Sequence, residues 1–367
     1  MFFTLVMIVG VLIYFASMFT GGKSLRTIRE QFYGNYYAED GLINNEDKPN
    51  SPEAFQKCID NNIGIKTEVF LSADRRAVIS AYDDLSREYG VDKKVTDTEL
   101  DELEKLGIMS VTELINMVDG RVPLILELKV GSHNNVLCRV VADAIIASEK
   151  NNIAICSFHS GIVGWFKHTE KNIFRGVVSA PAKEFKSLPK IERWMTGNLA
   201  NNANCRPNFM LYRDRPHSVF VKFAITSGVL NGVWTIEDAE TGKKKEAEGK
   251  EMIVVRGFMP ETVHFKDLPV VEKTEQQIAA EKKMEERASK RKAKMEERQQ
   301  QEAIRERRIS EILADDDDFE DEDTDIIDEI KEEITEVVAD VKEEAGEIIQ
   351  EVKEELTEIR EKIIAEE

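Results

Sequence analysis

The chain has 367 residues with 70 Asp and Glu against 50 Lys and Arg, a formal net charge of −20, and 42% hydrophobic residues. That length accommodates one large domain or two or three small ones, and an apolar fraction of this size excludes a wholly disordered polypeptide. Residues 315–367 hold 25 acidic and 5 basic side chains, so the first 314 residues balance and the excess lies in the tail, which leaves nucleic acid an unsuitable partner for either part.

Residues 2–19 carry no charge, and as a helix they are just long enough to cross a hydrocarbon core of about 30 Å. A cleaved signal peptide would place basic residues before the apolar run; here Lys23, Arg26 and Arg29 follow it. The run is therefore expected to be an uncleaved transmembrane anchor occupying residues 1–22. The positive-inside bias then leaves the rest of a single-pass cell-membrane protein on the cytoplasmic side. Cys58, Cys138, Cys156 and Cys205 show neither paired nor metal-ligand spacing, which suits a reducing compartment. Cys156, inside a candidate strand, is expected in the core.

From about residue 33 to 260, short apolar runs alternate with helical stretches, the pattern of repeated βα units. Candidate strands are 36–38, 63–70, 77–81, 122–128, 153–158, 174–178, 208–212, 229–236 and 252–255. Helical candidates include 52–61, which Ser51 can cap, and 97–105, 111–118 and 136–148. About 230 residues of βα repeats is the length of a TIM barrel. Nine candidates exceed eight strands, so one lies outside. On the run 124–129, Leu-Ile-Leu-Glu-Leu-Lys, Glu127 and Lys129 share one face of a strand while Leu126 and Leu128 share the other.

The stretch 64–87 resembles the second and third strands of bacterial glycerophosphodiester phosphodiesterases. The resemblance continues through 90–95, 118–129, Ser157-Phe158 and Arg175-Gly176, and ends with Arg206-Pro207-Asn208-Phe209, 233–236 and 253–258. It spans about residues 35–262, sets the barrel domain at 30–266, and implies a TIM (β/α)8 barrel that binds a divalent cation and cleaves the phosphodiester of deacylated phospholipids. The family's reaction uses a His-Arg-Gly on the first strand, a Glu-x-Asp on the second, a His-Asp after the third and a Glu-x-Lys on the fourth. The two His are the general acid and base, and three carboxylates hold the metal.

Here those sets read Glu39-Asp40-Gly41, Lys66-Thr67-Glu68, Ala81-Tyr82 and Glu127-Leu128-Lys129. Both family His positions are lost, to Glu39 and Ala81, and only the Glu-x-Lys survives. Positioned proton transfer is worth roughly 10²–10⁴-fold in rate, and Ala81 has no proton to transfer. Lys66 stands where a ligand carboxylate belongs, and an ammonium repels a hard cation. Glu68 and Glu127 remain as metal ligands for weak binding at most. Lys66 and Glu68 share a strand face, so the Lys66 ammonium can sit between Glu68 and Glu127 as a built-in replacement for the metal's charge; the alternative is that Lys66 swings out to solvent. His159 and His133, at strand ends, are the residues able to take over a catalytic role. Trp234 is expected to pack at the mouth of the pocket.

After Pro269, residues 270–313 form a charged helix candidate without Gly or Pro beyond 274, resting on charge pairs three and four apart. Residues 314–367 open with an acidic breaker and continue as an amphipathic helix. Its apolar residues include Ile334, Ala345 and Leu356, eleven apart, as are Val337, Ile348 and Ile359. An eleven-residue repeat fits a straight or slightly right-handed coiled coil. Self-association or a basic protein partner is expected of this Glu-rich helix. The whole chain is thus an α/β barrel preceded by one transmembrane helix and followed by long charged helices. It is expected to be a catalytically inactive binding or scaffolding protein with no cofactor. Two alternatives stand beside this: an active phosphoric diester hydrolase with a rewired site using Ca²⁺ or Mg²⁺, and a coiled-coil structural tether.

Overall fold

The computed structural model describes residues 19–22, 24, 26–43 and 48–267, together with the isolated positions 289, 290 and 293. The anchor candidate up to residue 18 and, apart from those three positions, the two tail helices lie outside the described residues, and among those described no helix is long and apolar enough to cross a membrane.

All nine apolar runs form strands: β1 (Asn35–Glu39), β2 (Gly64–Leu71), β3 (Ala77–Ile79), β4 (Leu124–Leu128), β5 (Ile153–Ser157), β6 (Phe174–Ser179), β7 (Phe209–Arg213), β8 (Leu230–Ile236) and β9 (Met252–Val255). Eight are parallel in the order β1-β9-β8-β7-β6-β5-β4-β2, and the pairing of β1 with β2 closes the barrel. The strand outside is β3, which pairs antiparallel with the end of β2 through Val69 and Ile79. Between the strands run α1 (Arg26–Phe32), α2 (Pro52–Asp60), α3 (Ser86–Tyr89), α4 (Leu100–Lys105), α5 (Val111–Val118), α6 (Asn134–Ser148), α7 (Ser160–His168), α8 (Lys190–Gly197), α9 (Asn202–Cys205), α10 (Val219–Thr226) and α11 (Ala239–Ala247). The helix expected over 97–105 is split: a 3₁₀ turn covers Val95–Asp97 and α4 starts only at Leu100.

Local chemistry sets the helix starts. Ser51 accepts the Ala54 amide at 3.2 Å and Pro52 takes the first turn of α2, whose Ala54, Phe55, Cys58 and Ile59 form one buried face. Ser110 and Glu113 make a reciprocal capping box at α5.

Strand alternation then divides the core in two. Ile65, Leu124, Leu126 and Ile155 face outward into the layer beneath the helices. Tyr37, Ile125, Cys156, Phe209 and Val254 face into the barrel. At the N-terminal end of the strands Phe32 of α1 stacks on Phe174 at 4.8 Å, and Phe174 on Phe209 at 5.3 Å, flooring the barrel with aromatic rings. Gly64 makes room for this floor, since a Cβ there would lie 2.6 Å from the Tyr37 ring. Beside it residues 19–22 strap onto the flank: Asn202 donates to the Phe19 carbonyl at 3.0 Å and the Gly22 amide to that of Pro207 at 2.8 Å. The Phe19 side chain is buried. All four cysteines are buried free thiols, Cys156 within the barrel.

Candidate functional site

The residues that floor one end of the barrel are apolar; those at the other end are charged. Register brings them together. Glu39 of β1 lies opposite Lys66 of β2, and Glu68 of β2 opposite Glu127 of β4. Because side chains alternate along a strand, Lys66, Glu68 and Glu127 all point inward at the C-terminal ends, where barrel active sites are built.

Lys66 is 2% exposed. Its Nζ lies 2.6 Å from Glu127 Oε2 and 2.9 Å from Glu39 Oε1, with Glu68 Oε1 further off at 4.0 Å. Glu68 instead pairs with Lys129 at 2.6 Å, and Lys129 also donates to Glu127 at 2.6 Å. The ammonium of Lys66 thus sits between Glu39 and Glu127 rather than between Glu68 and Glu127.

The remaining oxygens are satisfied too. Glu39 Oε2 accepts from Thr235 Oγ1 at 2.6 Å and pairs with Arg256 at 3.1 Å. Arg256 also reaches Asp40 at 3.4 Å. Asn50 donates to Asp40 at 3.3 Å and accepts from Thr67 at 2.5 Å. The turn that aims Asp40 is left-handed at both Asp40 (φ 61°) and Gly41 (φ 93°), and a side chain on Gly41 would meet the Ala54 methyl at 2.7 Å.

These contacts fix the protonation pattern. Burial alone would favour neutral Lys66, but Glu127 and Glu39, then Glu68 and Asp40, outweigh it and hold the ammonium well above the ordinary lysine value. Burial would raise Glu127 as well; Lys66 and Lys129 pull its carboxyl well below the usual range. Glu39 is lowered likewise, with Lys66 and then Arg256 opposing burial. Glu68 goes the other way, pushed up to about 7 by burial and by the charge of Glu127 against the pull of Lys129 and Lys66. Burial also raises Asp40. Four carboxylates therefore face three cations, and the imbalance falls on Glu68 and Asp40.

Above this set the mouth is aromatic and cationic. Trp234 donates its indole N–H to the Ser179 carbonyl at 3.1 Å, meets Phe158 edge-on at 5.6 Å and lies beneath the Arg213 guanidinium at 5.4 Å. Lys129 Nζ lies 5.9 Å from the Phe158 ring. Ala81 follows Ser80, whose amide donates to the Glu68 carbonyl at 3.2 Å, and carries only a methyl.

Neither candidate substitute joins the cluster. His159 is exposed and precedes α7, its ring beside Gly161; His133 is exposed and precedes α6. Thr235, Arg256, Asn50 and Thr67 belong to the network but were not singled out by the motifs. Thr235 and Arg256 sit at the ends of β8 and β9, within the stretches 233–236 and 253–258, and that position is the cue that could have found them.

Among the described residues no three His, Cys, Asp or Glu side chains are grouped so as to hold a metal ion. The carboxylates that could serve, Glu39, Glu68 and Glu127, surround ammonium groups instead.

No protein-family model matches the sequence, and no curated protein matches it. Solved structures do. A phosphodiesterase of Oleispira antarctica, in complex with the product sn-glycerol-3-phosphate, is 18% identical with a TM-score of 0.50 over 61% of this chain and 93% of that one. A protein of Silicibacter pomeroyi assigned as a glycerophosphoryl diester phosphodiesterase is 14% identical with a TM-score of 0.50 over 66% and 94%. The glycerophosphodiester phosphodiesterase of Thermotoga maritima is 22% identical with a TM-score of 0.47 over 60% and 93%. At such identities the likeness is one of fold, and the fold of this chain is a closed eight-stranded barrel of the glycerophosphodiester phosphodiesterase kind.

Proposed function

We propose that this chain is a membrane-anchored barrel of the glycerophosphodiester phosphodiesterase kind that has lost its chemistry and acts in binding or scaffolding. The observation that carries the reading is Lys66, 2% exposed and within 2.9 Å of both Glu39 and Glu127. A divalent cation at such a site neutralises phosphate and carboxylates together. An ammonium fixed among the carboxylates supplies the neutralisation and occupies the space, so the barrel stays folded without a metal and without the chemistry a metal supports. Ala81 has no proton to transfer, Glu39 is already committed to three donors, and His133 and His159 are exposed and outside the cluster, so neither position read as a family His keeps a free proton-transfer group. Residues 2–19 hold the barrel at the cytoplasmic face of the membrane, and the eleven-residue repeat of the tail supplies self-association or a protein partner.

The test is hydrolysis of glycerophosphodiesters by the full chain with and without Ca²⁺ and Mg²⁺, beside Glu127→Ala. No turnover by either protein is expected. Metal-dependent turnover that disappears in Glu127→Ala would overturn the reading in favour of a phosphoric diester hydrolase with a rewired site. Deletion of residues 270–367 separates scaffolding by the barrel from a tether built in the tail, since only a tether loses its function entirely with that deletion.

A further inference from the structure

Four of the seven large hydrophobic side chains exposed among the described residues lie on two helices: Ile191 (74%) and Trp194 (39%) on α8, Val219 (78%) and Phe223 (43%) on α10. They form one face. Trp194 meets Phe220 edge-on at 5.4 Å, Phe220 stacks on Phe19 at 5.0 Å, and Phe19 meets Phe223 edge-on at 6.4 Å. Phe19, the last residue of the apolar run 2–19, thus lies within the patch. Lys183, Lys186 and Lys190, all exposed, belong to the same segment as Ile191 and Trp194, and exposed Lys222 adjoins Phe223. Of the acids beside them Glu184 is tied to Arg213 at 2.8 Å, which leaves Glu192 as the exposed carboxylate of that segment.

We infer that the α8–α10 face rests in the headgroup region of an anionic bilayer. The inference rests on the proposed anchoring by residues 2–19. Trp and Phe beside Lys is the composition that partitions to an interface, rings toward the acyl chains and ammonium groups toward lipid phosphates. A spanning segment that ends at Phe19 holds the patch within a few ångströms of the membrane, so docking is intramolecular and a small patch suffices. With Phe19 on the barrel, residues 2–18 are only just enough to cross the hydrocarbon as a helix, which leaves the patch to lipid rather than to the run itself. The barrel then lies on the flank that carries α8 and α10 instead of swinging freely from its anchor.

Tryptophan emission of the full chain in vesicles of phosphatidylcholine and phosphatidylglycerol tests this, because the sequence has three Trp. Brominated acyl chains are expected to remove up to about one third of the emission relative to unbrominated lipid. Trp194→Phe should abolish that loss, and Lys183→Glu/Lys186→Glu/Lys190→Glu should reduce it. Wild type and Trp194→Phe quenched alike, or neither quenched while the chain resists carbonate extraction, would overturn the inference; the latter result would point to a protein covering the patch. Carbonate extraction itself reports the anchoring: a chain that washes off yet shows quenched Trp194 would sink the anchor and keep the docking face.

Discussion

The two ends of the barrel interior are built from opposite materials. The floor is a stack of Phe32, Phe174 and Phe209, while the mouth is a set of buried charges around Lys66. A stacked ring is stabilised by the area it removes from water and loses that stabilisation atom by atom. A buried ion set gains little over an apolar replacement of the same shape but loses heavily when one partner is removed. The floor is therefore expected to lose stability further with each ring removed, and the mouth to behave as an all-or-none unit.

The largest effects test that contrast directly. Phe174→Ala should cost about 3–5 kcal/mol through the cavity it opens, and Lys66→Met about as much, because Glu39 and Glu127 would lose the buried cation they share and keep only Arg256 and Lys129. The two part company on further substitution. Adding Glu39→Gln and Glu127→Gln to Lys66→Met should restore most of the loss, whereas adding Phe209→Ala to Phe174→Ala should deepen it. Thermal unfolding of the four variants measures this, and recovery absent at the mouth would break the comparison.

A cation offered to a vacated centre should give the next largest effect. With Lys66→Glu, four carboxylates, those of residues 39, 66, 68 and 127, face the mouth without their central ammonium. Ca²⁺ or Mg²⁺ at a hundred times its dissociation constant should then stabilise the variant by about 2.7 kcal/mol and leave wild type unchanged. Unfolding temperatures with the cation and with EDTA are the readout, and a variant indifferent to both would mean that the space is shaped for an ammonium and not for a metal.

How much of this was legible in the sequence follows from the same division. The barrel was, since strands announce themselves by apolar runs of the right length, and all nine were visible. That β3 is the one outside follows from its hairpin with β2, because the connection from Leu71 to Ala77 is too short for the crossover a parallel neighbour needs. At the mouth, the Lys66–Glu68 and Glu127–Lys129 spacings revealed which side chains share a face. Which ammonium takes which carboxylate depended on the register of β1 against β2, which brings Glu39 beside Lys66, and on reach, which gives Glu68 to Lys129. Thr235 and Arg256 were illegible for a further reason: each is distant in sequence and enters only when the barrel closes.

The pH dependence sharpens the contrast with a smaller effect, because the carboxylates of the mouth titrate in opposite directions. Glu39 and Glu127 have folded values below the ordinary carboxyl range. Their contribution is present above about pH 4.3 and is lost as pH falls through those depressed values. Glu68 is raised to about 7, so its contribution is present below about pH 4.3 and is lost as pH rises toward 7. Glu68→Gln mimics the protonated form at every pH. Its unfolding temperature should therefore match that of wild type near pH 5 and exceed it near pH 8, by a few degrees for a domain of this size. The floor variants, which have no group titrating in that interval, should keep a constant distance from wild type across the same range. If Glu68→Gln instead fell below wild type at pH 8, the Lys129 ion pair would outweigh burial and Glu127. Glu68 would then have to be counted with the stabilising carboxylates, leaving Asp40 to carry the excess charge of the mouth.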